Sequence, residues 1–169
     1  NNYEIVLVND NGPDPVMKKY FEDLVFKFKE EIARKKIRVI TNPINYGPAK
    51  SRNIGIEKAR NSILAFIDAD CIADSRWLCV ISKNINGLGH DALSNFVVPG
   101  ADLDKDRLLG YNKLVRAASK DRWTFGFYDG YAFVFSNLAI KKKALGKDRF
   151  DENIRYLEDI DMGLKILKK

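Results

Sequence analysis

The chain has 169 residues, 46% hydrophobic and 31% charged, a balance that fits one domain of ordinary size with a core of its own. No stretch approaches the roughly 20 apolar residues that cross a bilayer, and no secretory leader is visible. Two cysteines and one histidine give little material for a disulfide scaffold, a histidine zinc site or a Ser-His-Asp triad, while the net charge of +6 favours anionic partners.

Tyr3 to Val8 is an apolar, β-branched run that ends in the turn signal Asn9-Asp10-Asn11-Gly12-Pro13-Asp14, so it reads as a strand. Pro15 to Lys36 reads as one helix, with Phe21, Leu24, Val25, Phe28 and Ile32 at helical spacing. Ile37 to Thr41 is a second strand, 42–47 a loop, and Pro48 to Arg60 a helix with proline in its first turn. Ile63 to Ile67 is a third strand, nearly all apolar, as expected where both faces of a parallel sheet are covered. Further on, Arg76 to Asn84 is expected helical, Ala92 to Pro99 a strand and Leu108 to Lys120 a helix. Trp123 to Tyr128 forms an aromatic loop before a strand at Tyr131 to Ser136. Leu138 to Leu145 and Leu157 to Lys168 close the chain as helices. No repeat or low-complexity tract is present.

Strands and helices alternate in the first half, which implies an α/β fold with a mostly parallel sheet. The second half is more mixed. Ligands of open α/β sheets bind at the carboxyl ends of strands, and both Asn9-Asp10 and Asp68-Ala69-Asp70 fall there. Two carboxylates at a strand tip suit a hard divalent cation, which takes oxygen ligands and is often held by one or two carboxylates plus substrate phosphates. The plain alternative is a polar strand end with a turn. Arg52 and Asn53 follow Gly47 and Pro48 on the next helix, where the planar donor fork of Arg52 could reach a base or phosphates. Its plain alternative is a surface arginine. Glu158-Asp159 alone reads as an acidic pair at a helix start. The aromatics Trp123, Phe125, Phe127, Tyr128 and Tyr131 offer either a sugar-stacking wall or core packing. The basic clusters Arg34-Lys35-Lys36, Lys141-Lys142-Lys143 and Lys168-Lys169 read as solvated faces, not as a nucleic-acid footprint. Cys71 and Cys79 read as free thiols in a reducing compartment.

In order along the chain, these segments resemble family-two inverting glycosyltransferases of the GT-A fold. Tyr3 to Asp14 is similar to that family's second strand and V-D-D-G-S-x-D turn, with Asn9 at the first aspartate position. Asn45 to Gly55 resembles N-x-G-x-x-x-A-R-N-x-G, and Asp68-Ala69-Asp70 the D-x-D motif. Ser136 to Ile140 resembles the acceptor-side G-N-x-A segment. Phe150-Asp151-Glu152 and Leu157 to Asp161 resemble F-D-E and E-D-x-D. Each motif alone is weak, but the ordered set is specific. The family's first strand and the Q-x-x-R-W segment of its processive members have no counterpart, so the domain at 1–169 is expected to be trimmed at both ends. Its halves would be a nucleotide-sugar-binding part at 1–90 and an acceptor-side part at 91–169.

The resemblance implies a metal-dependent inverting transfer of a sugar, from a nucleotide-sugar of the UDP class to an acceptor hydroxyl. It assigns Asp10 to the base, Arg52 to the nucleotide, Asp68 to the ribose, and Asn137 and Glu158 to substrate. Asp70 would bind Mn2+ or Mg2+, and Asp159 would be the catalytic base. It also implies a cytoplasmic enzyme of cell-envelope or polysaccharide synthesis, leaving open peripheral association with the inner membrane face and a homodimer. Nucleic acid is not an expected partner. The competing readings are a nucleotidyltransferase, which lacks a Gly-rich, Lys-containing phosphate loop here, an inactive nucleotide-sugar-binding or protein-interaction module derived from such a transferase, and a basic nucleic-acid-binding domain.

Overall fold

The computed structural model describes residues 3–94 and 137–167. The helix expected at 108–120, the aromatic loop, the strand at 131–136 and the end of the strand at 92–99 lie outside the described residues. The chain divides into two compact units, Asn1–Leu64 with Lys147–Met162, and Ala65–Gly146 with Gly163–Lys169.

In the first unit, β1 (Ile5–Asn9) pairs in parallel with β2 (Ile37–Thr41), Ile5 opposite Ile37 and Asn9 opposite Thr41. A parallel pair needs a crossover, commonly helical. Here it holds two helices, α1 (Pro15–Lys27) and α2 (Lys29–Ala33), where the hydrophobic spacing predicted one. Asp14 caps α1 by accepting from the N–H groups of Val16 and Met17 at 2.8 and 3.0 Å, with Pro15 at the first helical position. Phe28 then leaves the helical region at φ −109°, ψ 27° and divides the two. Helix α3 (Pro48–Lys58) buries Ala49, Asn53 and Ile56, an i, i+4, i+7 stripe. A methyl built on Gly55 would lie 3.8 Å from Val8 Cγ2, so this helix packs directly on β1. Beyond it, the nearly buried carboxylate of Glu4 accepts from Arg60 Nε at 2.8 Å and Asn61 N at 3.2 Å. Burial pushes the Glu4 pKa up, but these hydrogen bonds and the Arg60 charge outweigh it and leave it lowered.

The second sheet has the order β3-β5-β4, built from β3 (Ile63–Ile67), β4 (Ala92–Ser94) and β5 (Asn137–Lys141). Strands β4 and β5 are antiparallel, Ala92 opposite Ile140 and Ser94 opposite Leu138. The α/β class therefore holds with one parallel and one antiparallel part. Two expectations are corrected. Leu138 to Leu145 is not one helix: Leu138, Ala139 and Ile140 are 0–2% exposed in the central strand, and only Lys142–Leu145 (α5) is helical. Burial between two neighbouring strands decides against the helical propensity of Leu and Ala. Strand β3 is not evenly covered among the described residues: Leu64 is buried and Ile67 is 40% exposed. Helix α4 (Trp77–Ser82) runs into a π-helical turn, Lys83–Gly87, and α6 (Glu158–Leu167) ends the described chain.

Candidate functional site

In the first unit, the end of β1 is knotted to the loop before α3. Asp10 Oδ1 accepts from Asn42 Nδ2 at 2.7 Å and from the Tyr46 N–H at 2.9 Å, and Oδ2 from the Gly47 N–H at 2.7 Å. Burial pushes the Asp10 carboxyl up, but hydrogen bonds from Asn42, Tyr46, Ser51 and Gly47 hold it below its ordinary value. Asn42 is 2% exposed and also donates to Ser51 Oγ at 3.1 Å. The loop sits close: a Cβ on Gly12 would lie 2.2 Å from Asn42 O, so only glycine fits. Gly47 has φ 87°, a left-handed conformation that glycine adopts without strain. Most of the acceptor capacity of Asp10 is thus spent on its own loop. Asn9, where the family turn carries an aspartate, accepts from the Asn11 N–H at 3.0 Å. It is 4% exposed, and its Nδ2 has no hydrogen-bond partner among the described residues.

Helix α3 also reaches the acidic pair. Arg52 Nη1 donates to Glu158 Oε1 in a close ion pair, and its guanidinium lies 5.5 Å from the Phe150 ring centroid. Glu158 is 8% exposed, so a counter-charge beside it is required. Beside it, Asn53 bonds both backbone groups of Phe150: the Phe150 N–H donates to Asn53 Oδ1 and Asn53 Nδ2 to Phe150 O, each at 2.9 Å. Asp159 is half-buried in the first turn of α6, and its Oδ1 accepts from the Ile160 N–H at 2.9 Å. Leu157, just before the pair, has φ 64°. A branched residue in the left-handed region is strained, and such strain persists where surrounding contacts enforce it.

In the second unit, β3 hands over to a turn in which the Cys71 N–H donates to Asp68 O at 3.0 Å. Asp68 is half-buried and Asp70 exposed. Burial, then the charges of Asp70 and Asp68, push the Cys71 thiol above its ordinary value. The negative field that disfavours a thiolate there favours a cation. No cluster of three or more His, Cys, Asp or Glu side chains suited to a metal occurs among the described residues. The donor set is two carboxylates, which fits a hard cation completed by substrate phosphates and water. After the turn, Trp77 Nε1 donates to Asn137 Oδ1 at 2.8 Å. This bond ties the start of α4 to the start of β5 and fixes the expected acceptor-side asparagine.

The structure thus brings Arg52 to Glu158, next to Asp159, and shows Asp10 holding its own loop. Asn42 and Trp77 were given no part in the site from sequence, and Asn53 was noted on the helix beside Arg52 without a role of its own. The available signal for Asn53 was an amide in the buried stripe of α3, next to Arg52.

Residues 1–147 match the profile of Glycosyl transferase family 2. The chain is 26% identical over 171 residues to an uncharacterized glycosyltransferase of Haemophilus influenzae, covering 99% of this chain and 61% of that relative. It is similar in fold to S. aureus TarS 1-349, with a TM-score of 0.67 at 18% identity over 96% of this chain and 45% of the other. TarS 1-349 has also been solved in complex with UDP. A mannosyltransferase from Pyrobaculum calidifontis, solved with GDP-Man and Mn2+, gives a TM-score of 0.65 at 20% identity over 96% of this chain and 42% of that one. The chain therefore spans about half the length of these solved structures and 61% of the curated relative. No helix among the described residues is long and apolar enough to cross a membrane.

Proposed function

The chain belongs to glycosyl transferase family 2, and from that premise we propose that it transfers a sugar from a nucleotide-sugar, of the UDP class, to an acceptor hydroxyl with inversion and with the help of a divalent metal. The observation that carries this reading is the tip of β3, where half-buried Asp68 and exposed Asp70 put two carboxylates, the oxygen donors a hard divalent cation takes, at the end of a strand. Asp70 would hold Mn2+ or Mg2+ and Asp68 the ribose hydroxyls. The metal supplies charge neutralisation at the leaving diphosphate. Asp10 serves the base through the 42–47 loop that it orders, and Arg52, its charge shared with Glu158, supports the nucleotide. Asn137, steadied by Trp77, serves the acceptor. Asp159 takes the proton of the acceptor hydroxyl as that oxygen attacks the anomeric carbon, a general-base contribution of about a hundredfold or more.

Relatives in fold have been solved with UDP and with GDP-Man and Mn2+, so the donor panel must separate these nucleotides. A thermal-shift series of UDP- and GDP-sugars, with and without manganese, tests the reading. The expected result is a rise in Tm with a UDP-sugar that disappears in chelator. No shift with any nucleotide-sugar would count against it.

A further inference from the structure

Helix α3 carries one polar residue fully inside its buried stripe. Asn is a poor helix former, and a buried amide is costly unless paired; Asn53 is nonetheless 4% exposed. Its amide acts like a segment of backbone. It gives and receives one hydrogen bond with Phe150, both at 2.9 Å, and Phe150 is itself 2% exposed. Two parallel bonds to one residue fix the direction of the chain there, not only its place. The same Nδ2 also lies 3.2 Å from Glu152 Oε1. The adjacent residue, Arg52, seizes the other end of the segment at buried Glu158 and rests against the Phe150 ring. Between the two grips the chain accepts Leu157 at φ 64°, and the next residue after Glu158 is Asp159.

We propose that Asn53 is a positioning residue for sugar transfer: together with Arg52 it clamps residues 150–158 to α3 and so sets where the carboxylate of Asp159 stands. This rests on the reading of Asp159 as the base. Asn53 touches no reacting atom; it acts through the backbone of Phe150. Its loss frees the segment that presents Asp159 while leaving the Asp10 loop and the β3 tip unchanged. Misplacement of a reacting group by about 1 Å can lower a rate on the order of 100-fold.

The test is the variant Asn53→Ala in the full chain, measured three ways. Calorimetry with a UDP-sugar and manganese counts donor-binding sites and gives the donor Kd. Transfer assays give kcat per counted site. Amide hydrogen exchange reports on Phe150 and on Ile160 and Asp161 at the start of α6. The proposal expects kcat per site to fall on the order of 10- to 100-fold with the donor Kd within about twofold, and faster exchange at all three amides. A merely structural role would lower the number of donor-binding sites and leave kcat per site unchanged, and that result overturns the proposal. So does a loss of turnover matched by an equal loss of donor affinity. Where Asn53→Ala does not fold, Asn53→Asp replaces it, keeping the side-chain volume and the acceptor for the Phe150 N–H but losing the donor; the same criteria apply to kcat per site, the donor Kd and the Ile160 and Asp161 amides. If the unmodified chain transfers no sugar, the reading of Asp159 as base fails. The clamp is then decided by exchange alone, and unchanged exchange at Ile160 and Asp161 overturns it.

Discussion

Replacing Asp10 by Asn keeps the shape of the side chain and removes its charge and one acceptor. In the native loop Asn42 and the Tyr46 N–H donate to Oδ1 at 2.7 and 2.9 Å and the Gly47 N–H to Oδ2 at 2.7 Å, with a further hydrogen bond from Ser51. With the amide oxygen at the Oδ1 position, two of these bonds survive without charge assistance. The amide nitrogen then faces the Gly47 N–H, donor against donor. A hydrogen bond to a charged group contributes about 1.5–3 kcal/mol and a neutral one about 0.5–1.5. Losing one charged bond and weakening two others gives about 3 kcal/mol of destabilisation, allowing for partial compensation by water at this half-buried site. The effect depends on pH. Folding lowers the Asp10 pKa, so its contribution is complete above the unfolded value near pH 4 and is lost as pH falls through the folded value. Urea unfolding of both proteins at pH 7 and again at the lowest pH where the chain stays folded measures this. The difference should be about 3 kcal/mol at pH 7 and shrink on acidification. A difference under about 0.5 kcal/mol, or one that does not change with pH, would refute the view that the charged carboxylate holds the loop.

Three further outcomes follow from the proposed roles. Asp159→Asn should lower kcat by about a hundredfold or more while the donor Kd, read by calorimetry, stays within about twofold; unchanged turnover would remove Asp159 as the base. Asp70→Asn should weaken donor binding in manganese to the level the unmodified chain shows in chelator, because the carboxylate proposed to hold the metal is lost; retained metal dependence would move the metal elsewhere. Trp77→Phe deletes the bond to Asn137 Oδ1 and should cost about 1 kcal/mol in urea unfolding and raise the acceptor KM more than the donor KM. An equal rise in both would separate Asn137 from the acceptor.

The strand ends that carry Asp10 and Asp68-Ala69-Asp70 were legible because short apolar runs stop there at turn residues. The acidic start of α6 was legible for the same local reason. What local pattern could not show is long-range. The spacing of Phe21, Leu24, Val25, Phe28 and Ile32 continues through the break at Phe28, because periodicity records which face is apolar and not whether one φ/ψ pair leaves the helix. Leu138-Ala139-Ile140 favours a helix by propensity, and burial between β3 and β4 overrides it. The donors that reach Asp10 from Asn42, Tyr46 and Gly47 come from over thirty positions away, beyond the reach of any local pattern. The hold of Asn53 on Phe150 spans 97 positions, so an amide in the stripe of α3 could be noticed locally but its partner could not.

The central claim is a single displacement at the anomeric carbon of a nucleotide-sugar. Proton NMR of the first product formed by the full chain with a UDP-sugar, manganese and an acceptor alcohol tests it most directly. A single displacement gives an anomeric configuration opposite to that of the donor. A product that keeps the donor's configuration would contradict it.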